Sequence, residues 1–126
     1  MKLTNKEIYN YYQNIVSAFK NSQHYLPAKV NFYIHKNKQV LQNIVEAIDI
    51  TREEIAQHYG KQDVENIGLY HIPLEDRDKA QQELNDLMNI QQEIVILKVP
   101  FDSIADLEFT PSQMEAIMFM IDESQV

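Results

Sequence analysis

Apolar residues recur at alternating four- and three-residue steps through the stretch from Leu26 to Gly60: Val30, Ile34, Asn37, Leu41, Ile44, Ile48, Thr51, Ile55 and His58. That spacing keeps side chains on one stripe of a helix. Pro27 fits the first helical turn, where its missing N–H is harmless, and Gly60 fits a left-handed C-terminal residue. The stretch predicts a helix of about 33 residues, roughly 50 Å long, which must lean on several partners or on a second copy. Asn37 and Thr51 interrupt the stripe. A polar residue there fixes register in a dimer, or marks half exposure or a helix break near Asn37. The run Val30-Asn31-Phe32-Tyr33-Ile34 is rich in β-formers, so a strand over 30–34, with the helix starting only after Lys36, is the competing reading.

Five more elements follow from pattern and punctuation. Leu3-Thr4-Asn5-Lys6-Glu7-Ile8 combines an N-cap threonine, a glutamate three residues later and a flanking apolar staple. A first helix of about five turns starts there, with Ile8, Tyr11, Tyr12, Ile15, Val16 and Phe19 on one face and an exit at Asn21-Ser22. Lys61 to Asn66 read as a polar connection, and Ile67 to Ile72 as a short strand stopped by Pro73. A third helix carries Glu75, Asp76 and Asp78 in its first turn and Ala80, Leu84, Leu87, Met88 and Gln91 on its inner face. Glu93 to Val99 is the strongest strand, and pairing it with 67–72 over the helices would bury Ile94, Ile96 and Leu69. Thr110-Pro111-Ser112-Gln113 announces a last helix over 111–122 whose Met114, Ile117, Met118, Phe119, Met120 and Ile121 make it either a core helix or an exposed docking surface. The expected fold is mainly α (α+β): a single helical domain over 1–126, with one long central helix and a minor two-stranded β element.

Composition narrows the chemistry. The chain has 126 residues and no cysteine, which excludes disulfides, thiol nucleophiles and cysteine metal sites. Met1 to Lys6 lead into no signal-peptide core, and no run approaches a membrane span, so the expectation is a cytoplasmic protein. The four histidines, His24, His35, His58 and His71, lack metalloprotease spacing, and the two glycines make no phosphate loop. Glu54 and His58 lie one helical turn apart, a spacing used for metal ligation and far more often for a surface contact. Ser103 and Ser112 read as turn or capping residues, while Ser17 and Ser22 sit in no motif. The expectation is therefore no enzyme, no cofactor and no metal.

Charge is divided unevenly. Residues 1–60 hold seven Lys/Arg against five carboxylates, net +2, whereas residues 61–126 hold four against fourteen, net -10. An acidic surface repels phosphates, which argues against direct nucleic-acid binding, and attracts basic protein surfaces. A solvated face that keeps the chain soluble is the commoner use of such charge. The densest carboxylate cluster, Glu75, Asp76, Asp78, Glu83 and Asp86, is the candidate partner-binding surface. Tyr9 joins it, because it sits off the first helix's apolar stripe and is the tyrosine most expected to be exposed.

Met1-Lys2-Leu3-Thr4-Asn5-Lys6-Glu7-Ile8-Tyr9, Leu26 to Tyr33, Gln82 to Leu87 and Ser112 to Ile121 together resemble a family of small tailed-phage and prophage proteins of uncharacterised function. The resemblance spans nearly the whole chain. It implies a phage origin in a low-GC bacterial host, which the abundance of Lys, Asn and Ile also fits, and it supplies no functional residues. Two roles follow from a phage origin. The first is a host-directed, non-enzymatic inhibitor in the host cytoplasm, anti-CRISPR-like or otherwise anti-defence, that binds a host protein such as a nucleic-acid-binding effector. The alternative is a virion or tail-morphogenesis protein acting through self-association, with the long helix as a homodimer seam.

Overall fold

The computed structural model describes residues 1–20 and 25–122, and among them it contains four helices and three two-stranded β patches. The mainly α reading with a minor β component is thus the observed fold. Strand β1 (Lys2–Thr4) leads directly into α1 (Asn5–Phe19). Thr4 caps this helix: its Oγ1 accepts the Glu7 amide at 3.2 Å, and Glu7 Oε1 accepts the Thr4 amide at 3.0 Å. Ile8 and Ile15 are fully enclosed between α1 and its neighbours, while Tyr11 stacks on Phe119 with centroids 4.5 Å apart. At 15 residues α1 makes about four turns. The expected exit at Asn21-Ser22 lies outside the described residues.

Helix α2 (Ala28–Tyr59) has 32 residues and includes 30–34, so the strand alternative there is excluded. Pro27 precedes it as the N-cap instead of occupying its first turn. Val30, Ile34, Asn37, Leu41, Val45 and Ile48 are buried, and Ile44 is only half-buried because Val45 faces the core more directly. The stripe then fades. Thr51 and Ile55 are half-buried and His58 is exposed, because the last turns of α2 run past the main core and are covered mainly by the third helix. Thr51 donates its hydroxyl to the Ala47 carbonyl at 2.8 Å, which satisfies it within its own helix.

Asn37 is neither half-exposed nor at a break. It is 1% exposed in the middle of a continuous helix, and its amide grips one residue of a neighbouring segment from both sides. Nδ2 donates to the Leu97 carbonyl at 2.9 Å, and Oδ1 accepts the Leu97 amide at 2.8 Å. A side chain thereby takes the place of a strand partner, which explains why 94–98 is not a regular strand despite its β-rich sequence. Only the flanks of that segment pair. Strand β4 (Gln91–Glu93) runs antiparallel to β1, and β5 (Val99–Pro100) runs parallel to the C-terminal β6 (Ile121–Asp122). Ile94 is buried and Ile96 half-buried as the alternation requires, but Leu69 is exposed and takes no part.

Residues 67–72 differ from expectation for a related reason. Only Tyr70–His71 form a strand, β3, and it pairs antiparallel with β2 (Lys61–Gln62) instead of with the later segment. The residues between form a hairpin that leaves the end of α2. Gly60 makes that exit possible, though not by a left-handed conformation, since its φ is -103°. A Cβ there would sit 2.6 Å from the Ala56 carbonyl oxygen and 2.9 Å from Tyr70 Cβ, so the glycine is required by close approach.

A 3-10 turn, Leu74–Asp76, opens α3 (Arg77–Met88), which packs Ala80 and Leu87 inward. Asn5, 3% exposed, donates Nδ2 to the Leu87 carbonyl at 2.8 Å and ties the start of α1 to the end of α3. Gln91, expected on the inner face of α3, belongs to β4 and is exposed, because the helix ends at Met88. Helix α4 (Pro111–Ile117) has the capping box expected at Thr110 and Gln113. It is shorter than the expected 111–122, passing into a 3-10 turn, Met118–Met120, and then β6. Ala116, Ile117, Met120 and Ile121 are buried, so this segment fills the core, leaving only Met118 of its apolar side chains exposed. Among the described residues no helix is long and apolar enough to cross a membrane.

Candidate functional site

The inward packing of Ala80 and Leu87 fixes the orientation of α3 and leaves its carboxylates outside. Glu75, Asp78, Glu83 and Asp86 are exposed and Asp76 is half-buried. Neither the Met1–Glu93 nor the Asp63–His71 ion pair involves any of them. Yet the five do not form one uniform surface. Glu83 and Asp76 both act on Tyr59, at the end of α2, and raise the pKa of its hydroxyl, chiefly through hydrogen bonding to Glu83 and with burial and the two negative charges adding to it. Asp86 accepts a hydrogen bond from Gln82 at 2.8 Å along its own helix. Asp76 and Glu83 thus act on Tyr59 of α2, whereas Glu75, Asp78 and Asp86 do not.

Tyr9 departs from expectation. It is half-buried against the core, and the Arg52 guanidinium of α2 lies 5.6 Å from its ring centroid. The stripe position predicted an open ring, but the length of α2 brings a cation over it. Tyr33 is engaged in a similar way by Lys29, at 5.9 Å. Both tyrosines border the core.

Sequence reasoning missed the hairpin of residues 61–74. Four large apolar side chains stand out in solvent on it: Val64 (100% exposed), Ile67 (95%), Leu69 (49%) and Leu74 (76%). The hairpin is nevertheless shaped. The Asp63 amide donates to the Leu69 carbonyl at 2.8 Å, and Asp63 Oδ1 accepts the Glu65 amide at 2.8 Å. Its Oδ2 meets His71 Nε2 at 2.9 Å across the two strands. These contacts, the Glu65 amide first and then His71, hold the Asp63 carboxyl below its ordinary pKa. Gly68 takes the turn with φ +91°, a conformation that disfavours other residues. The signal for all this was present in Asp63, Gly68 and Pro73. Each is a turn former, and together they leave too few consecutive residues for a strand that could cover the helices.

Between β3 and α3 lies an open groove of about 440 Å³ bordered by Tyr70, Ile72, Arg77, Gln81 and Leu84. On the long helix, His58 packs edge-on against Tyr59 at 4.6 Å. Among the described residues no three His, Asp or Glu side chains gather into a group able to hold a metal ion. The chain matches no family model, no curated protein and no solved structure.

Proposed function

We propose that this protein is a phage-encoded, non-enzymatic inhibitor that binds a host protein in the cytoplasm and acts by occupancy, in the manner of an anti-defence protein. The observation that carries this reading is the outward face of α3, where Asp78 and Asp86 stay exposed with no cation paired to them. Such a face suits the basic groove of a nucleic-acid-binding effector, where carboxylates take the place of phosphates. The resemblance to small phage proteins supports a host-directed role. The alternative, morphogenesis through a seam on the long helix, is less well supported, because the stripe from Val30 to Ile48 is spent on the protein's own core.

Affinity capture of the tagged chain from nuclease-treated host lysate tests the reading, with bound proteins identified by mass spectrometry. One host protein in defined stoichiometry is expected, held at low salt and released by Asp78→Lys/Asp86→Lys, a variant that spares the contacts of Tyr59. Equal retention by the variant would eliminate the acidic-helix mechanism. Recovery of phage structural proteins alone would replace inhibition with morphogenesis.

A further inference from the structure

The solvent face of α2 carries a second surface, of the opposite character. Phe32 is 59% exposed and lies with His35, Lys36, Lys38, Gln39 and Gln42 around a shallow depression of about 240 Å³. Residues 25–45 contain Lys29, Lys36 and Lys38 and no carboxylate, a net of +3. The hairpin and its exit turn, residues 61–76, hold Lys61 against Asp63, Glu65, Glu75 and Asp76, a net of -3, with Glu65 and Glu75 left outward while Asp63 meets His71 and Asp76 lies toward Tyr59. One surface sets the exposed Phe32 ring among basic and polar side chains; the other exposes Val64, Ile67 and Leu74 on a segment whose carboxylates outnumber its cations. Their chemistry is complementary in both respects.

They cannot meet within one molecule. Phe32 and Tyr59 are separated by about 40 Å along α2 at 1.5 Å per residue. A hairpin arm of seven residues reaches at most about 23 Å. We propose that the 61–74 hairpin of one copy docks on the Phe32 patch of a second copy, giving a head-to-tail contact. Because the two surfaces differ, each copy keeps one free end, and the contact builds chains or rings instead of closed two-fold dimers. The net charge of -8 does not forbid this. At physiological ionic strength charges more than about 8 Å apart are largely screened, so the local match at the contact governs. The inference is independent of the inhibitor reading, which survives if the protein is monomeric.

Sedimentation equilibrium of the full chain, with two variants, tests the contact. Val64→Ser/Ile67→Ser alters side chains that are almost wholly in solvent, and Phe32→Ser/Lys36→Glu alters the patch, so circular dichroism should report both as folded. The wild type should associate with rising concentration at roughly 0.15 M salt and less so at roughly 1 M. Each variant alone should weaken association about tenfold or more. An equimolar mixture of the two should form a dimer and nothing larger, since only one intact hairpin and one intact patch remain to pair. A wild type that stays monomeric at the highest concentration overturns the proposal, as does association that both variants retain.

Discussion

Replacing Asn37 should cost more stability than any surface substitution, and the amount follows from its partners. Asn37→Ala removes the amide that satisfies both the N–H and the C=O of Leu97, at 2.8 and 2.9 Å, and a contact at 3.4 Å to the Met120 sulfur. Leaving a buried donor or acceptor without a partner costs about 1–3 kcal/mol each. Leu97 is only half-buried, so the lower end of that range applies to each of its two groups. Adding the space vacated beside Met120, the loss comes to about 3 kcal/mol. That is a large share of the roughly 5–15 kcal/mol that a domain of this kind holds in total. It corresponds to a fall in Tm on the order of 10 °C. Urea unfolding followed by circular dichroism should show a lower midpoint with the slope unchanged. Asn37→Leu separates the contributions, because it refills the space but cannot pair with Leu97. It should recover only the packing part, about 1 kcal/mol. A leucine variant as stable as the wild type would refute the view that Asn37 serves as the hydrogen-bonding partner of residues 94–98.

Two smaller perturbations probe the hairpin. Gly60→Ala should destabilise the chain by about 1–3 kcal/mol, since the added methyl meets backbone and Cβ atoms that cannot swing aside. Gly60→Asn should be no better in thermal unfolding, whereas a left-handed cap would tolerate asparagine. The depressed pKa of Asp63 gives a pH signature. Its contribution to hairpin stability is fully present above the ordinary aspartate value of about 3.9 and is lost as pH falls through the lower folded value. In an NMR titration the Glu65 amide should move with a midpoint below that of aspartate in the denatured chain. A midpoint equal to the denatured one would show that the Asp63 contacts do not persist in solution.

The helices were legible because each is encoded locally. The two capping boxes at Thr4 and Thr110, and the stripe from Val30 to Ile48, name their own partners within a few residues. Strands were misread because a strand's partner is remote. Val95, Ile96 and Leu97 have the right composition, but the group that satisfies Leu97 lies sixty positions earlier, on a helix. Asn37 was visible as a break in the apolar stripe, yet a single sequence cannot distinguish a dimer register residue from an intramolecular clamp. The acidic cluster was legible as charge, and its division was not. That Asp76 and Glu83 face Tyr59 depends on how α3 is rotated against α2, which the packing of Ala80 and Leu87 determines.

That rotation also bears on whether the two proposed surfaces compete. On α3, Arg77, Gln81 and Leu84 border the groove beside the hairpin, and the three- and four-residue spacing puts them on one flank. By the same periodicity Asp86 lies on the opposite side of the helix and Asp78 about a quarter turn from that flank. Docking of the hairpin on a second copy would therefore leave the acidic flank open, and a row of copies would present that flank repeatedly to a multivalent target. The two sets of variants consequently separate the roles. An inhibitor acting through α3 loses function with Asp78→Lys/Asp86→Lys and keeps single-site binding with Val64→Ser/Ile67→Ser. A morphogenesis protein shows the reverse, because assembly depends on the hairpin, and the acidic flank would then serve only to keep the assembled surface soluble.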